Sequence, residues 1–384
     1  MNRIANALFR IDQLTLYRVT LPLRKPWKTA YGVQTGRELI FLHFHEAVSN
    51  QSGWAEVAPL RDPFYLPEYT QSTFMLLKRY VTTVIGCDFR SPQALLRTFP
   101  AIRGNWFTRA AIDIMGWGAW CLATQTPLYA ALGGQRKTVR AGLAFSADTS
   151  VETVCSRIHE AQSQNVTRVR LKISPATNIK LLHEVRNQFP ALEIQLDANG
   201  SFVPDTRGLR QLQAIDELGF QLIEQPFPYR DFVSHAKLQA CSKTPVALDE
   251  SIEAVDDLYT AISLNACRCV VIKPGKVGGL SNALRMIEIC REHNLSCWIG
   301  GMLESEIGNS VNLALASVLD DTWCHDLNPS LSHFPMILSD PELSILSTPY
   351  AGMVPSTRPW IGLDVDEAAL APFIQEEYTI AAHH

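Results

Sequence analysis

The sequence predicts an α/β protein in which a (β/α) barrel follows a separate α+β domain. Two observations carry this prediction: the pattern of apolar residues changes at a glycine pair, Gly133 and Gly134, and the chain beyond it repeats short apolar strands at a nearly constant interval. A length of 384 residues accommodates a barrel of about 250 residues and a smaller domain. We therefore expect domains at 1–134 and 135–330, with a C-terminal segment, 331–384, that completes the first domain.

The first domain is predicted to begin with strands and to end with helices. Residues 14–23 and 38–47 alternate or are rich in β-forming side chains. A long helix is predicted from apolar residues at three- and four-residue spacing, which are Phe107, Ala110, Ala111, Ile114, Met115, Gly118, Cys121 and Leu122. The glycine pair that follows is typical of a helix end. Strands, then helices, then a break indicate an independent α+β unit.

Beyond the glycine pair, six short apolar strands each end at a polar residue or at glycine. The ends are Lys172, Asp197, Glu224, Asp249, Lys273 and Gly300, spaced 24 to 27 residues apart. One strand and one helix per such interval is the repeat of a (β/α)₈ barrel. Ser281 is expected to cap one of the intervening helices. A doubly wound open sheet is the weaker alternative, because no Gly-x-Gly-x-x-Gly motif follows a strand.

Composition and charge argue against several classes of function. The chain carries 34 Lys and Arg against 38 Asp and Glu, so its net charge of −4 offers no basic surface for nucleic acid. No apolar run reaches the ~18 residues of a membrane helix, and the apolar stretch near the start is too short for a signal peptide. Nine scattered cysteines are typical of reduced thiols. We expect a cytoplasmic protein with neither nucleic-acid nor membrane partners; a homo-oligomer is compatible with the sequence.

The polar side chains at the strand ends are expected to share one site. In the strand VRLKI, three apolar side chains alternate with those of Arg170 and Lys172. Because the outer helices of a barrel cover the apolar face, Arg170, Lys172 and Asp197 should point inward. Glu224 and Asp249 end the next two strands in the same way. These side chains should meet at the C-terminal mouth, where barrel enzymes have their active sites.

Three carboxylates in such a mouth, those of Asp197, Glu224 and Asp249, require a compensating cation. Oxygen ligands suit Mg²⁺, which keeps open positions for water and substrate. A carboxylate substrate bound there becomes acidic at its α-carbon, and a lysine beside the cation and another ammonium has a lowered pKa. Lys172 and Lys273 are therefore candidates for proton transfer. The alternative is a structural salt-bridge network in which the lysines only neutralise the acids.

With these residues in place, the chain resembles the enolase superfamily and, within it, the muconate-lactonizing subgroup. The segments that carry the resemblance are KTAYGVQTGREL (28–39), RVRLKI (168–173), QLDANG (195–200), LIEQPF (222–227), ALDESI (247–252), VIKPGKVGG (271–279) and CWIGGMLESEIG (297–308). The KPGxxGG and GGMLE stretches are similar to the branch of o-succinylbenzoate synthases and N-acylamino acid racemases. The resemblance implies a (β/α) barrel of the enolase-superfamily type with an N-terminal α+β capping domain, whose loops near 25–36 and 53–69 close over substrate.

The resemblance also implies residue roles. Asp197, Glu224 and Asp249 would bind Mg²⁺, with Mn²⁺ as a possible substitute, and Lys172 and Lys273 would form the opposed acid/base pair. Residues implied near the substrate or behind the metal ligands are Arg170, Asn199, Gly300, Gly301, Met302 and Glu304, although Asn199 and Glu304 could instead cap a helix or balance charge. The implied partner is a small-molecule carboxylate and the implied activity is dehydration. Racemisation is the alternative, and a non-catalytic binding protein a remote one.

Three departures from the family pattern bear on these expectations. Arg170 stands where the family has the first lysine of Lys-x-Lys, and it keeps the charge but cannot serve as a base. Lys276 stands where racemase-capable members commonly have arginine, which argues against the racemase activity. At the expected eighth strand, the chain reads Cys-His-Asp-Leu-Asn, residues 324–328, in place of Pro-Gly-Asp-x-Ser.

Overall fold

The computed structural model describes residues 7–29, 32–147, 149–320, 322–327 and 332–382. The helices in these ranges are α1 (Thr70–Tyr80), α2 (Pro92–Thr98), α3 (Trp106–Ala123), α4 (Leu128–Ala131), α5 (Val151–Ser163), α6 (Ile179–Gln188), α7 (Thr206–Asp216), α8 (Phe232–Cys241), α9 (Val255–Leu264), α10 (Leu280–Glu292), α11 (Glu306–Ala316) and α12 (Glu367–Leu370), with 3₁₀ turns at Val81–Thr83 and Ala371–Phe373.

The strands divide between two main sheets and two short antiparallel pairs. They are β1 (Phe9–Thr29), β2 (Gly32–Glu46), β3 (Gln51–Val57), β4 (Asp88–Phe89), β5 (Val139–Arg140), β6 (Leu143–Ser146), β7 (Arg168–Lys172), β8 (Glu193–Asp197), β9 (Leu222–Glu224), β10 (Val246–Leu248), β11 (Cys269–Ile272), β12 (Ser296–Ile299), β13 (Ser339–Asp340), β14 (Gly352–Met353), β15 (Asp364–Val365) and β16 (Ile374–Ala381).

The first sheet is antiparallel, in the order β16–β1–β2–β3, and α3 packs on it. The side chains of Leu16 and its partner Leu42 are completely buried in this sheet. Helix and sheet approach closely because Gly118 of α3 faces the ring of Phe44; a Cβ there would lie 2.6 Å from the ring carbon Cζ. The predicted long helix is confirmed, and the residues that predicted it are all buried.

The second sheet is parallel and runs β6 to β12 in sequence order, as the repeated strand–helix units predicted. An eighth segment closes it into a barrel. His325 forms a parallel bridge with Ala141 just before β6, and the amide of Asp326 donates to the carbonyl of Ile299 in β12 over 2.9 Å. The predicted (β/α) barrel with an α+β cap is therefore the observed fold.

Side-chain alternation in the barrel strands is as expected. In β7, Val169 and Leu171 are fully buried against the helices, whereas Arg170 points inward to the mouth. A small apolar cluster fills the interior of the barrel, made of Leu222, Ala247, Cys269, Val271 and Trp298. The polar ends of β9, β10 and β11 therefore lie above an apolar cluster, whereas buried Arg168 and Gln195 lie below those of β7 and β8.

The prediction that Ser281 caps a helix is wrong. Helix α10 begins after Gly279, and its first amides are covered by the cap domain. The Asp113 carboxylate of α3 accepts from the Ser281 amide over 2.8 Å and from the Ser281 hydroxyl over 2.6 Å. A carboxylate from another helix thus supplies the charge that favours a helix N-terminus.

The C-terminal part of the chain contributes β16, which pairs antiparallel with β1 from Gln13 to Val19. The division at 134 and 330 stays a prediction. Among the residues that the structure describes, no helix combines the length and the apolar character that a bilayer crossing needs.

Candidate active site

The five predicted polar ends lie on five successive strands of the barrel. Lys172, Asp197 and Glu224 are the last residues of β7, β8 and β9, and they are direct neighbours in the parallel register. Asp249 and Lys273 directly follow β10 and β11. Since β7 and β11 lie four strands apart in an eight-stranded barrel, the two lysines stand on opposite sides of the mouth, with the three carboxylates between them.

The Lys172 ammonium is held by two neighbouring strand ends. Its Nζ donates to Asp197 Oδ2 and to Asn199 Oδ1, each over 2.8 Å. Asn199 adopts a left-handed backbone conformation, φ 44°, and donates from its side-chain nitrogen to Glu250. Asn199 thus lies at Lys172 and next to a carboxylate ligand candidate, and it does not cap a helix.

Arg170 is paired with two carboxylates. Its Nη1 donates to Glu224 Oε2 over 2.6 Å, and its Nη2 lies 2.7 Å from Asp326 Oδ2. Arg168, below it on the same strand, donates to Asp326 Oδ1 over 2.9 Å. Asp326, the residue of this eighth segment that keeps the family pattern, therefore supplies a buried carboxylate that neutralises the arginines. Asn328 lies outside the described residues.

Lys273 is enclosed on the other side of the mouth. Its Nζ donates to Asp249 Oδ2 over 2.6 Å and to the Tyr65 hydroxyl over 3.0 Å. Lys276 brings a second ammonium to the same carboxylate and donates to Asp249 Oδ1 over 2.9 Å and to the Asp249 carbonyl. Burial alone would raise the pKa of Asp249, but Lys273 and Lys276 hold it below its usual range.

The residues after β12 leave room for Lys273. A Cβ on Gly300 would lie 2.9 Å from Lys273 Cε, so only glycine fits against this side chain. A Cβ on Gly301 would lie 3.0 Å from the Asp326 carbonyl. Glu304 folds back and accepts from the Met302 amide over 2.6 Å. Gly300 therefore forms the wall against Lys273, and the residues that follow it contact Asp326 and one another.

The three carboxylates fit a divalent cation by their chemistry. The Glu224 carboxylate is fully buried, and its Oε1 has no hydrogen-bond partner among the described residues. Burial, together with the charges of Asp197 and Asp249, raises the pKa of Glu224 to about 8 although Arg170 opposes this. A buried carboxylate oxygen without a partner, beside two further carboxylates, calls for positive charge, and all-oxygen ligands suit Mg²⁺. In this structure lysines donate to the carboxylates of Asp197 and Asp249. Among the described residues, no three His, Cys, Asp or Glu side chains lie close enough together to hold a metal ion.

Two contacts of the site were missed by sequence reasoning. Tyr65 belongs to the cap segment expected to close over substrate, but nothing in that segment singled out its hydroxyl. Gln225 lies in the motif LIEQPF, but nothing in that motif indicates its contacts. Its Oε1 accepts from the amides of Asp249 and Ser251, which positions the Asp249 backbone. The sequence signal that could have pointed to Gln225 is its position directly after Glu224, at the end of a barrel strand.

Comparison with known proteins places this chain in a family. The family described as enolase C-terminal domain-like matches residues 153–369. This chain belongs to the enolase superfamily. It is 30% identical to an o-succinylbenzoate synthase of Bacillus subtilis (strain 168), over 98% of this chain and 100% of that one. It is 33% identical to an N-succinylamino acid racemase of Thermus thermophilus, over 80% of this chain and 83% of that one.

A solved enolase-superfamily structure is also similar over nearly the whole fold. It is a member from Listeria innocua, which is 28% identical, with a TM-score of 0.91 over 97% of this chain and 99% of that one. The solved relative therefore has the same fold as this chain in both the cap and the barrel.

Proposed function

We propose that this enolase-superfamily protein is an o-succinylbenzoate synthase, a carbon–oxygen lyase of menaquinone biosynthesis. Its reaction would be the Mg²⁺-dependent syn-dehydration of 2-succinyl-6-hydroxy-2,4-cyclohexadiene-1-carboxylate through an enediolate. The observation that carries the proposal is the unequal placement of two lysines on opposite sides of three carboxylates. The relatives that bear this enzyme name support it. The substrate is a small carboxylate, and the proposed compartment is the cytoplasm.

The proton-transfer residue in this proposal is Lys172. As a neutral amine it takes the proton from the α-carbon of the substrate carboxylate, and the electron pair passes into the carboxylate as an enediolate. The resulting Lys172 ammonium gives the same proton to the departing hydroxyl, so the C–O bond breaks, water leaves and the ring becomes aromatic. One residue acting from one face makes the elimination syn. Its side chain is 15% exposed, compared with 7% for Lys273.

Lys273 acts as a cation in this reaction. Its ammonium faces the enediolate from the opposite side of the mouth and stabilises the negative charge that develops there. Tyr65 and Asp249 hold the ammonium in place through the hydrogen bonds described above. Gly300 forms the wall against it.

A divalent cation held by Asp197, Glu224 and Asp249, Mg²⁺ or in its place Mn²⁺, would supply Lewis-acid stabilisation of charge on the substrate carboxylate. Arg170 would keep Glu224 in place behind that cation, and Asn199 would orient Lys172.

The alternative is an N-succinylamino acid racemase, in which both lysines exchange protons with one carbon. The racemase relative at 33% identity supports it. Lys273 is enclosed by Tyr65 and by the charged side chains of Asp249 and Lys276. This enclosure favours the dehydratase, because a racemase needs Lys273 to release and accept protons.

The deciding experiment gives the purified protein each substrate in ²H₂O with Mg²⁺. Dehydration of the cyclohexadiene acid is measured by the loss of its diene absorbance. We expect its kcat/KM to be at least about 100-fold higher than that for deuterium incorporation into an N-succinylamino acid. The opposite ranking would establish the racemase as the principal activity. Turnover of neither compound, in a protein that binds Mg²⁺, would overturn both assignments.

A further inference from the structure

A fully buried arginine outside the mouth of the barrel joins cap and barrel. Arg37, on β2, is 0% exposed. Its Nε donates to the Met302 carbonyl over 3.0 Å, its Nη1 to the Pro59 carbonyl over 2.7 Å and its Nη2 to the Ala58 carbonyl. Burial lowers the pKa of Arg37 to about 10 although Glu304 and Glu56 oppose this. The guanidinium thus donates from all three nitrogens to backbone carbonyls of two segments, one in the cap at Ala58 and Pro59 and one in the barrel at Met302.

These two segments are the ones that flank Lys273. The cap segment that starts at Ala58 carries Tyr65 to the Lys273 ammonium. The barrel segment that contains Met302 begins with Gly300, which packs against the aliphatic part of the Lys273 side chain. The planar guanidinium therefore sets the separation of the two walls between which Lys273 stands. An arginine is suited to this task because its donors have fixed relative directions.

A second contact holds the barrel segment to the same part of the cap. Glu56, on β3, accepts from the Ser305 amide over 3.0 Å, from the Ser305 hydroxyl over 2.5 Å and from the Gly308 amide over 2.9 Å. Between the two contacts, Leu303 has a left-handed backbone, φ 59°. A branched side chain keeps that conformation only when its surroundings impose it. The segment 300–305 is thus held in shape by the cap as well as by its own strand.

We propose that Arg37 is a positioning residue for Lys273. By holding Ala58 and Pro59 at a fixed distance from Met302, it keeps both the Tyr65 hydroxyl and the Gly300 backbone against that lysine. This assignment rests on the proposed function only for its activity measurement, because the coupling of the two segments is a property of the fold. It implies that loss of the Arg37 contacts increases the mobility of both segments, 58–69 in the cap and 300–305 in the barrel.

The first test measures amide hydrogen exchange and needs no substrate. Arg37→Met removes the fork, and Arg37→Lys keeps a charge and some of the donors. A matched control is Glu46→Gln at the far end of β2, where the buried carboxylate accepts from the amides of Arg10, Val48 and Ser49. We expect Arg37→Met to speed exchange in both 58–69 and 300–305 by about tenfold, the equivalent of ~1.4 kcal/mol of lost protection.

The control variant should speed exchange only around its own turn, and Arg37→Lys should give an intermediate result. Unchanged exchange in either segment of a folded Arg37 variant would overturn the proposal. If Arg37→Met does not fold, Arg37→Lys decides: both segments must respond together. A response of these segments to Glu46→Gln as well would show that general destabilisation is the cause.

The second test follows kcat and KM for the proposed dehydration. A shift of Lys273 by about 1 Å is expected to cost Arg37→Met ~100-fold in kcat, with KM changed less than about threefold. Glu46→Gln should lower the melting temperature but leave both constants unchanged. If the wild type lacks dehydratase activity, the proposed function fails while the exchange result still stands. A loss confined to KM, with coupled exchange, would contradict the positioning of Lys273.

Discussion

The two sides of the barrel mouth treat their lysines differently. On the β7 side, Lys172 meets Asp197 and the neutral oxygen of Asn199, and all three come from the barrel. On the β11 side, Lys273 meets Asp249 and a hydroxyl that arrives from the cap. The Lys172 side chain is 15% exposed, whereas that of Lys273, which contacts the cap, is 7% exposed.

This difference bears on the chemical tasks proposed for the two lysines. Burial alone would lower the pKa of Lys273, but the charges of Asp249, Glu250 and Glu224 raise it, so the group stays an ammonium at neutral pH. A fixed cation stabilises developing negative charge and does not accept protons. The proposed function therefore gives electrostatic work to the Lys273 side and proton transfer to the Lys172 side, and the following experiments test this division.

Removal of the divalent cation should have the largest effect, because both sides depend on the carboxylates between them. Chelation should abolish turnover, and added Mg²⁺ should restore it. Asp197→Asn is the preferred variant, since Asp249→Asn would leave Lys273 and Lys276 buried without a counter-charge. We expect it to weaken Mg²⁺ binding by ~100-fold or more in calorimetry. Full activity in excess chelator would contradict the proposed metal site.

Lys172→Ala should follow in magnitude. Loss of the proposed base should lower kcat by about 10⁴-fold and abolish α-proton exchange, because Lys172 is the group proposed to take the proton on that face. Steady-state kinetics and exchange in ²H₂O measure both effects, with the thermal unfolding curve as the control for folding. Residual exchange at the wild-type rate would assign proton removal to another residue.

Lys273→Ala sharpens the comparison. Loss of the cation should lower kcat by about 10²- to 10³-fold through weaker enediolate stabilisation. Exchange of the α-proton should slow but persist, since Lys172 remains. In a racemase, each lysine variant would instead retain exchange with only one enantiomer of an N-succinylamino acid. That stereospecific result would show that the two sides do the same work.

Tyr65→Phe removes the cap's contribution to Lys273 and leaves the ring in place. The hydroxyl accepts from Lys273 over 3.0 Å and donates to Asp249 Oδ1 over 3.2 Å. Both contacts with charged groups are lost, so kcat should fall by about tenfold with little change in stability. Tyr17→Phe, on the outer part of the cap where Tyr17 stacks on Trp54, is the matched control and should be silent. Equal effects of both changes would argue against a specific role of the Tyr65 hydroxyl.

The smallest effect concerns stability on the Lys273 side. Burial raises the pKa of Glu56 to about 7, although its hydrogen bonds from Ser305 act in the opposite direction. Because the folded state holds this proton more tightly than the unfolded one, the contribution of Glu56 is present below about pH 4.5 and is lost as the pH rises through about 7. Relative to Glu56→Gln, the wild type should therefore lose on the order of 2 kcal/mol in free energy of unfolding between pH 5 and 8.

Denaturant unfolding at several pH values measures this difference, and high salt serves as the control for long-range charge. A wild type that gains stability relative to Glu56→Gln on the same pH change would contradict the sign.

The strand ends of the barrel were predictable because local alternation determines which side chains point inward. Once Val169 and Leu171 belong to the helix side, Arg170 and Lys172 must face the mouth, and the same logic applies to Asp197. The constant interval then brings neighbours in sequence order together in space. The barrel architecture and its C-terminal edge followed from these short-range rules.

Contacts between distant parts of the chain were not predictable in this way. The Tyr65 hydroxyl meets Lys273 across 208 residues, and Arg168 meets Asp326 across 158. Such pairs depend on how cap and barrel dock and on where the barrel closes, which no single segment encodes. The failure at Ser281 has the same origin, because its helix N-terminus is served by Asp113 of another domain.

The pairing of β16 with β1 bears on the order in which the protein is made. β1, β2 and β3 leave the ribosome early and can pair at once, and the barrel follows, but β16 emerges only with residues 374–381. Until then, the outer edge of β1 has unpaired amide and carbonyl groups, which invite association with other nascent chains. Slow translation of the last third of the message, or a truncated transcript, should therefore increase aggregation, and chaperones that shield strand edges should act mainly in that interval.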